Sequence, residues 1–248
     1  MSRRSLLATA ASLTVAALLL AAADPNPGEV EAEQAVPHLA AARLTTYVRA
    51  RLQGQPVAVL NRATMLRSSP RGRLIAKLRP RTEFGSPRAL AVVDERGAWL
   101  RVIAAEVPNG RTGWIPASAA SLEVSRWAVR ADLSRREVVV RHRGKVVRRF
   151  PIAIGAPFTP TPTGTFAVTD KLYMQGAEAA YGCCAVALSG HQPHIEPGWT
   201  GGDRLAIHGG SPETIGSAAS FGCLRARDDD VRWLVRRVYL GTLVRIRP

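Results

Sequence analysis

The sequence is poor in lysine and in acidic residues. Three of its 34 basic residues are lysine, and 19 acidic residues leave a formal net charge of +15 at pH 7. A strongly basic chain is attracted to polyanions, and the two candidates are nucleic acid and the acidic polymers of a bacterial envelope. Arginine richness commonly follows genomic base composition, so the choice between these partners must come from another part of the chain.

Cysteine is also scarce, with three residues in 248. An odd number excludes complete pairing, which leaves either one disulfide with one free thiol or three free thiols. Cys183 and Cys184 are adjacent, and a vicinal disulfide is strained and uncommon, so we expect both to be small buried apolar residues. An alternative is a zinc site that joins this pair to His191 and His194.

The N-terminus indicates export. It reads Met-Ser-Arg-Arg-Ser, followed by an apolar run over residues 6–23 that ends in three alanines. This order predicts a signal peptide over residues 1–23, cleaved near Ala23 or retained as an anchor, with a partial twin-arginine pattern at Ser2-Arg3-Arg4. We therefore expect the protein at the cell wall, on the periplasm side of the membrane. Its anionic partners would then be wall polymers and not nucleic acid.

Two β-rich units are predicted after this segment, so the fold class should be dominated by β-structure. Residues 24–55 are interpreted as a linker with a short helix in which Leu44, Tyr47, Val48 and Leu52 share one face. Residues 56–123 show short strands separated by turn residues, including Asn109-Gly110, and this spacing favours a small barrel. The stretch resembles bacterial SH3-like domains in Trp99-Leu100-Arg101-Val102 and Gly113-Trp114-Ile115-Pro116. It would bind the wall, position substrate, or act as a spacer.

Residues 124–248 form the second predicted unit, with strands and one or two short helices. The helix with the clearest sequence signals begins at Asp228-Asp229-Asp230. Acidic groups at the N-terminus of a helix interact favourably with the helix dipole, and Asp228 can act as the N-cap. An apolar stripe follows, made of Val231, Leu234, Val235 and Val238.

One histidine and one cysteine in this unit have the surroundings of a nucleophilic site. A thiol attacks a carbonyl as its thiolate, so it needs a base or a positive field. His208 ends an apolar strand, and Cys223 lies in a glycine-flanked turn whose N–H groups can converge on an oxyanion. Arg225 is two residues further on, so in an extended segment it shares a face with Cys223, where it could lower the thiol pKa or hold a carboxylate.

Several segments of this unit together resemble the YkuD-type L,D-transpeptidases. The main one is Ile207-His208-Gly209-Gly210 followed by Ser220-Phe221-Gly222-Cys223-Leu224-Arg225. Other segments that match in order are Gly155 with Thr161-Pro162-Thr163-Gly164-Thr165-Phe166, Ala187-Leu188-Ser189-Gly190, Gly202-Asp203-Arg204, Ile215-Gly216 and Gly241-Thr242-Leu243-Val244. Some members carry a second histidine where this chain has Phe221. The resemblance implies a YkuD-type β-sandwich.

The resemblance also implies acyl transfer on peptidoglycan stem peptides. Cys223 would be the nucleophile and His208 its base, with Gly222, Ser220 and Gly209 as oxyanion or supporting residues and Arg225 as a substrate-binding residue. The product would be a 3→3 cross-link, formed without a metal or organic cofactor. Carbapenem-type compounds would be inhibitors.

Three other functions remain open at this point. Water could replace the acceptor amine, which would make the protein an L,D-carboxypeptidase. The SH3-like unit and the positive charge would also suit a non-catalytic wall-binding protein, although the presence of both His208 and Cys223 argues against it. The order of His208, Cys223 and Arg225 is compatible with a sortase-like transferase, but the Pro-Thr-Gly-Thr-Phe and His-Gly-Gly segments are not expected there.

Overall fold

The computed structural model of the protein describes residues 47–248, apart from Arg49, residues 175–179 and Glu196. The predicted signal peptide and most of the predicted linker lie outside these residues. The described residues belong to one compact unit. Within them, no helix combines the length and apolarity needed to cross a membrane.

Helical residues at 47–48 and 50–53, which we label α1, precede the first strand. Tyr47 and Ala50 are buried, whereas Val48 and Leu52 are exposed. The predicted apolar face was therefore wrong at Val48 and Leu52. The buried pair is spaced by three residues, which is one of the two spacings that share a helix face.

Seven antiparallel strands form the first sheet, in the order β3-β2-β6-β5-β4-β1-β7. Apolar side chains from these strands form a core of their own, centred on Leu66, Leu100 and Ile115. The strands are β1 (Gln55–Leu60), β2 (Thr64–Arg67), β3 (Leu74–Leu78), β4 (Ala89–Arg96), β5 (Trp99–Ile103), β6 (Gly113–Pro116) and β7 (Ala120–Ser125). The assignment of this sheet to the SH3-like class stays a prediction, as do the predicted domain boundaries.

A second, eight-stranded sheet has the order β10-β9-β8-β17-β12-β13-β14-β16. Its strands are β8 (Trp127–Asp132), β9 (Glu137–His142), β10 (Lys145–Pro151), β12 (Gly164–Tyr173), β13 (Cys184–His191), β14 (Arg204–His208), β16 (Leu224–Arg225) and β17 (Leu243–Arg247). A separate parallel pair joins β11 (Ile154–Gly155) to β15 (Ala218–Ser220). The expected fold class, dominated by β-structure, is confirmed.

One α-helix, α2 (Asp228–Arg237), packs on the second sheet. Val231, Leu234 and Val235 are buried in the sheet's core, and each contributes up to about 1.5–3 kcal/mol by leaving water. The prediction that Asp228 caps this helix was wrong, because the N-cap is Arg227 and no side chain caps the helix. The Asp228 carboxylate is bonded to two other segments of the chain, described below.

The two sheets contact each other through both apolar and polar side chains. Ala91 and Ile103 of the first sheet pack against Ala167 of the second. Asn109 exchanges two hydrogen bonds with the backbone of His191, donating through Nδ2 at 2.6 Å and accepting at Oδ1 at 2.9 Å. Asn109 precedes Gly110 in the predicted hairpin signal, and its side chain joins the loop to the second sheet.

Candidate active site

Parallel pairing of β14 with β16 brings the two halves of the sequence motif together. His208 is paired with Arg225 in this register, and Cys223 directly precedes β16. Paired residues, and residues two apart along a strand, face the same side of a sheet. His208, Cys223 and Arg225 accordingly line one cavity of about 100 Å³. The structure thus places the three main candidate residues at a single site.

Hydrogen bonds within one turn fix the position of Cys223. Ser220 is 1% exposed, and its Oγ donates to the Cys223 carbonyl at 2.6 Å and accepts the Gly222 N–H at 3.1 Å. Ser220 is therefore placed as a support of the turn. The Gly222 N–H is occupied by Ser220, whereas the Cys223 N–H makes no hydrogen bond to another described residue. The amide that is left to face a developing oxyanion is that of Cys223.

Gln192, which the sequence analysis did not identify, holds the turn before Cys223 through hydrogen bonds to backbone carbonyls. Its Nε2 lies 3.1–3.2 Å from the carbonyls of Thr159, Pro160 and Phe221. Gly222 has a φ of 108°, and a Cβ there would collide with the Gln192 amide. The glycine is thus required both by its backbone conformation and by the approach of this side chain.

Replacing Gly222 with alanine should destabilise the protein and reduce Cys223 reactivity. Backbone strain at a positive φ costs about 1–3 kcal/mol, and displacement of Gln192 would add to it. Gly216→Ala is the matched control, because Gly216 has a φ of 87° with open space around the added methyl group. Thermal unfolding and alkylation kinetics would test this. Equal effects of the two variants would show that the Gln192 contact does not matter.

His208 is the last residue of β14 and is 4% exposed. Its Nδ1 lies 2.7 Å from the Gly209 carbonyl oxygen. A carbonyl can only accept, so Nδ1 must carry the proton of the neutral ring, which leaves Nε2 as the acceptor. The Tyr181 ring meets the imidazole edge to face, with centroids 4.9 Å apart.

The protonation of His208 is set mainly by burial. Desolvation lowers the pKa of His208 to about 4, while the Gly209 carbonyl raises it, Arg225 lowers it and Asp228 raises it. The imidazole is therefore neutral near pH 7 and able to accept a proton.

Cys223 is a free, half-buried cysteine. Burial raises the pKa of its thiol, opposed by a backbone hydrogen bond from Ala206 and by the positive charge of Arg225. The Sγ lies 3.8 Å from the Arg204 carbonyl oxygen, to which it donates. The resting pair is thus a neutral thiol and a neutral imidazole, so attack by the sulfur requires transfer of its proton to a base.

Arg225 lines the cavity, and its guanidinium is only partly hydrogen-bonded to the described residues. One terminal nitrogen donates to Thr214 Oγ1 at 3.2 Å. The Nε is buried and has no hydrogen-bond partner among the described residues. A buried donor without a partner carries a desolvation cost in the folded protein.

Cys183 and Cys184 are joined in a disulfide, so the expectation of two separate buried thiols was wrong. Side chains of consecutive residues in a regular strand point to opposite faces, but Cys183 lies just before β13. Its N–H donates to Asp228 Oδ2 at 3.0 Å and not to a neighbouring strand. The disulfide leaves Cys223 as the free thiol and occupies both sulfurs of the proposed zinc site.

His191 and His194, the two histidines of the proposed zinc site, lie in different surroundings. His191 contacts Asp203 through Nδ1 at 2.9 Å and the Ala105 carbonyl through Nε2 at 2.6 Å. His194 is exposed and lines the cavity. In the described part of the chain, no group of three or more His, Cys, Asp or Glu residues is arranged to hold a metal ion.

An aromatic pair forms part of the cavity wall. The rings of Trp199 and Phe221 lie 5.2 Å apart between centroids, and both residues line the cavity. The Trp199 Nε1 donates to the Gly202 carbonyl at 2.7 Å, which fixes the indole within its own loop. Phe221 stands where some of the transpeptidases that the sequence resembles have a second histidine, and here it supplies an apolar surface.

Comparison with known proteins gives matches to the second sheet and its helix. A family model described as the YkuD L,D-transpeptidase catalytic domain matches residues 126–246. The YkuD protein of Bacillus licheniformis is 30% identical over 123 residues, which cover 49% of this chain and 66% of that protein. The YkuD protein of Bacillus subtilis is 29% identical over 119 residues, which cover 48% of this chain and 64% of that protein. The chain thus spans just under two thirds of the length of these relatives.

A crystal structure of L,D-transpeptidase 3 from Mycobacterium tuberculosis aligns with a TM-score of 0.42 and 17% identity, covering 55% of this chain and 74% of that one. The sequence matches carry the assignment: residues 126–246 of this chain belong to the YkuD family of L,D-transpeptidase catalytic domains.

Proposed function

We propose that this protein is a peptidoglycan L,D-transpeptidase that forms 3→3 cross-links through a thioester on Cys223. The observation that carries the proposal is a free thiol and a neutral imidazole lining one cavity within a YkuD-family domain. The cavity also contains a guanidinium and an aromatic pair, which together suit a peptide that ends in a carboxylate.

The first half of the reaction is acylation of the enzyme. His208 Nε2 takes the proton of the Cys223 thiol, and the sulfur attacks the carbonyl between the third and fourth residues of a donor stem peptide. The Cys223 N–H stabilises the oxyanion of the tetrahedral intermediate. As this intermediate collapses, the C–N bond breaks, and the proton held by His208 passes to the nitrogen of the departing D-alanine.

The second half returns the enzyme to its resting state. The amine of an acceptor stem attacks the thioester carbonyl, and His208 takes a proton from that nitrogen. The C–S bond then breaks, and the proton passes back to the Cys223 sulfur. If water takes the place of the amine, the product is a tripeptide, and the enzyme acts as an L,D-carboxypeptidase.

Incubation with purified disaccharide-tetrapeptide should give a cross-linked dimer together with free D-alanine. Mass spectrometry of the products distinguishes the two reactions, because hydrolysis yields the tripeptide and D-alanine without a dimer. A tripeptide-only result would replace transpeptidation by carboxypeptidation. Absence of both products with a reactive Cys223 would contradict both peptidoglycan reactions.

The proposed location is the cell wall outside the cytoplasmic membrane, reached by the signal peptide predicted over residues 1–23. The formal charge of +15 favours retention near anionic wall polymers. We further propose that the first sheet helps to hold the enzyme on the wall or to position its substrate there.

A further inference from the structure

A carboxylate lies behind the histidine of the site, separated from it by one peptide group. The Gly209 carbonyl accepts from His208 Nδ1 at 2.7 Å, and the Gly210 N–H donates to Asp228 Oδ1 at 3.0 Å. That carbonyl and that N–H belong to the same peptide group. Since no cis peptide bond occurs among the described residues, the C=O and N–H bonds of this group point in opposite directions, one toward the imidazole and the other toward the carboxylate.

From this arrangement we propose that Asp228 is a positioning residue for the reaction, acting on His208 through the Gly209–Gly210 peptide. The carboxylate holds the peptide plane and polarises it, so that the Gly209 oxygen becomes a stronger acceptor for the Nδ1–H of His208. The effect is largest when the ring is charged, after Nε2 has taken the Cys223 proton. The inference rests on the proposed function in assigning His208 as the base of Cys223.

The surrounding chain makes room for this carboxylate. A Cβ added at Gly209 or at Gly182 would collide with Asp228 Oδ1. The second oxygen, Oδ2, accepts the Cys183 N–H at 3.0 Å, so both oxygens bind fixed backbone groups. Asp228 is the first residue of α2, yet its side chain does not cap that helix. The Asp228 carboxylate therefore binds two backbone N–H groups outside the helix, those of Gly210 and Cys183, and does not cap the helix.

The electrostatic environment of His208 supports the same role. Two charged groups act on the imidazole, since Asp228 raises the pKa of His208 and Arg225 lowers it. The cavity that His208 lines also contains the titratable side chains of Tyr181, His194, Asp203, Arg204 and Cys223. The Asp203 carboxylate contacts the His191 ring. Asp228 is thus the anion that offsets both burial and Arg225 when His208 becomes charged.

Asp228→Asn removes the negative charge while keeping the size of the side chain. We expect the pKa of His208 to fall by about one unit and the alkylation rate of Cys223 by iodoacetamide at pH 7 to fall about tenfold. Intact mass measures the alkylation rate, and NMR titration of the imidazole in a Cys223→Ala background measures the pKa. Asp229→Asn is the matched control, because it removes the same charge from the same helical turn where the side chain is 90% exposed. The control should alkylate at the wild-type rate.

Two results would overturn the proposal. One is equal alkylation rates for Asp228→Asn and Asp229→Asn. The other is a slower Asp228→Asn variant whose His208 titration is unchanged, since that loss would come from altered structure alone. Alkylation does not require a stem peptide, so these results are independent of the product assay. An inactive enzyme with a normal Asp228 effect would refute the proposed function and leave this inference standing.

A measurement on the wild-type chain covers the case in which Asp228→Asn does not fold. Nitrogen NMR near pH 7 should find His208 protonated at Nδ1 and unprotonated at Nε2, and the Gly210 N–H should be protected from hydrogen exchange. A ring protonated at Nε2, or a rapidly exchanging Gly210 amide, would contradict the arrangement.

Discussion

Replacing Cys223 with alanine is expected to abolish both thioester formation and cross-linking. The substitution removes the sulfur that forms the proposed covalent intermediate, and loss of a nucleophile lowers turnover by about 10⁴-fold or more. The fold should be retained, because Cys223 is half-buried and its turn is held by Ser220 and Gln192. Intact mass after incubation with a carbapenem, together with the product assay, measures both losses.

Phe221→Ala is the control for this experiment. It alters the same turn and the same cavity, but it leaves the sulfur in place, and Phe221 is 52% exposed. This variant should still form the carbapenem adduct. An adduct on Cys223→Ala of the same mass as on the wild type would identify another nucleophile and refute the assignment.

Replacing His208 with glutamine should reduce acylation by about 10²–10⁴-fold, the usual contribution of a general base. Burial lowers the pKa of His208 to about 4, so the wild-type imidazole stays neutral as the pH falls from 7 toward 5. The acylation rate of the wild type should fall only as the pH approaches that value, and the variant should lack this acidic limb. Stopped-flow acylation by a carbapenem from pH 7 down to about pH 4 provides the measurement.

His194→Gln is the matched control, because it removes the other imidazole that lines the cavity. His194 is exposed, and its replacement should leave the acylation rate within about twofold of the wild type. If the two variants lose similar activity, or if His208→Gln keeps the acidic limb, His208 is not the base.

The same pKa shift has a consequence for stability. The imidazole of the unfolded chain titrates near the ordinary value of 6.5, whereas in the folded protein it does so near 4. Between these values the unfolded state binds more protons, so the free energy of unfolding should decrease as the pH falls from 6.5 to 4. Acylation rates at low pH should therefore be measured before unfolding contributes.

The local pattern of the sequence was sufficient to predict most of the strands and to select three residues that the structure places in one cavity. Turn residues predicted short strands over residues 56–123, and the structure has seven strands between Gln55 and Ser125. The glycines around Cys223 and after His208 indicated a close backbone approach, and the structure shows the parallel strand pair that produces it.

Residues that act through long-range contacts could not be predicted in this way. Gln192 has no local pattern that marks it, because its bonds to Thr159, Pro160 and Phe221 depend on how distant loops meet. Asp228 was interpreted as a helix cap, since its position next to α2 is a local feature, whereas its bonds to Gly210 and Cys183 are not. The Cys183–Cys184 disulfide was missed because it depends on where β13 begins.

The most direct test is to trap the acyl-enzyme with the proposed donor substrate. After brief incubation with disaccharide-tetrapeptide and acid quenching, mass spectrometry of the digested protein should find the donor, less D-alanine, attached to the Cys223 peptide. A stable modification on any other residue, or products formed by an enzyme that is never acylated at Cys223, would contradict the account.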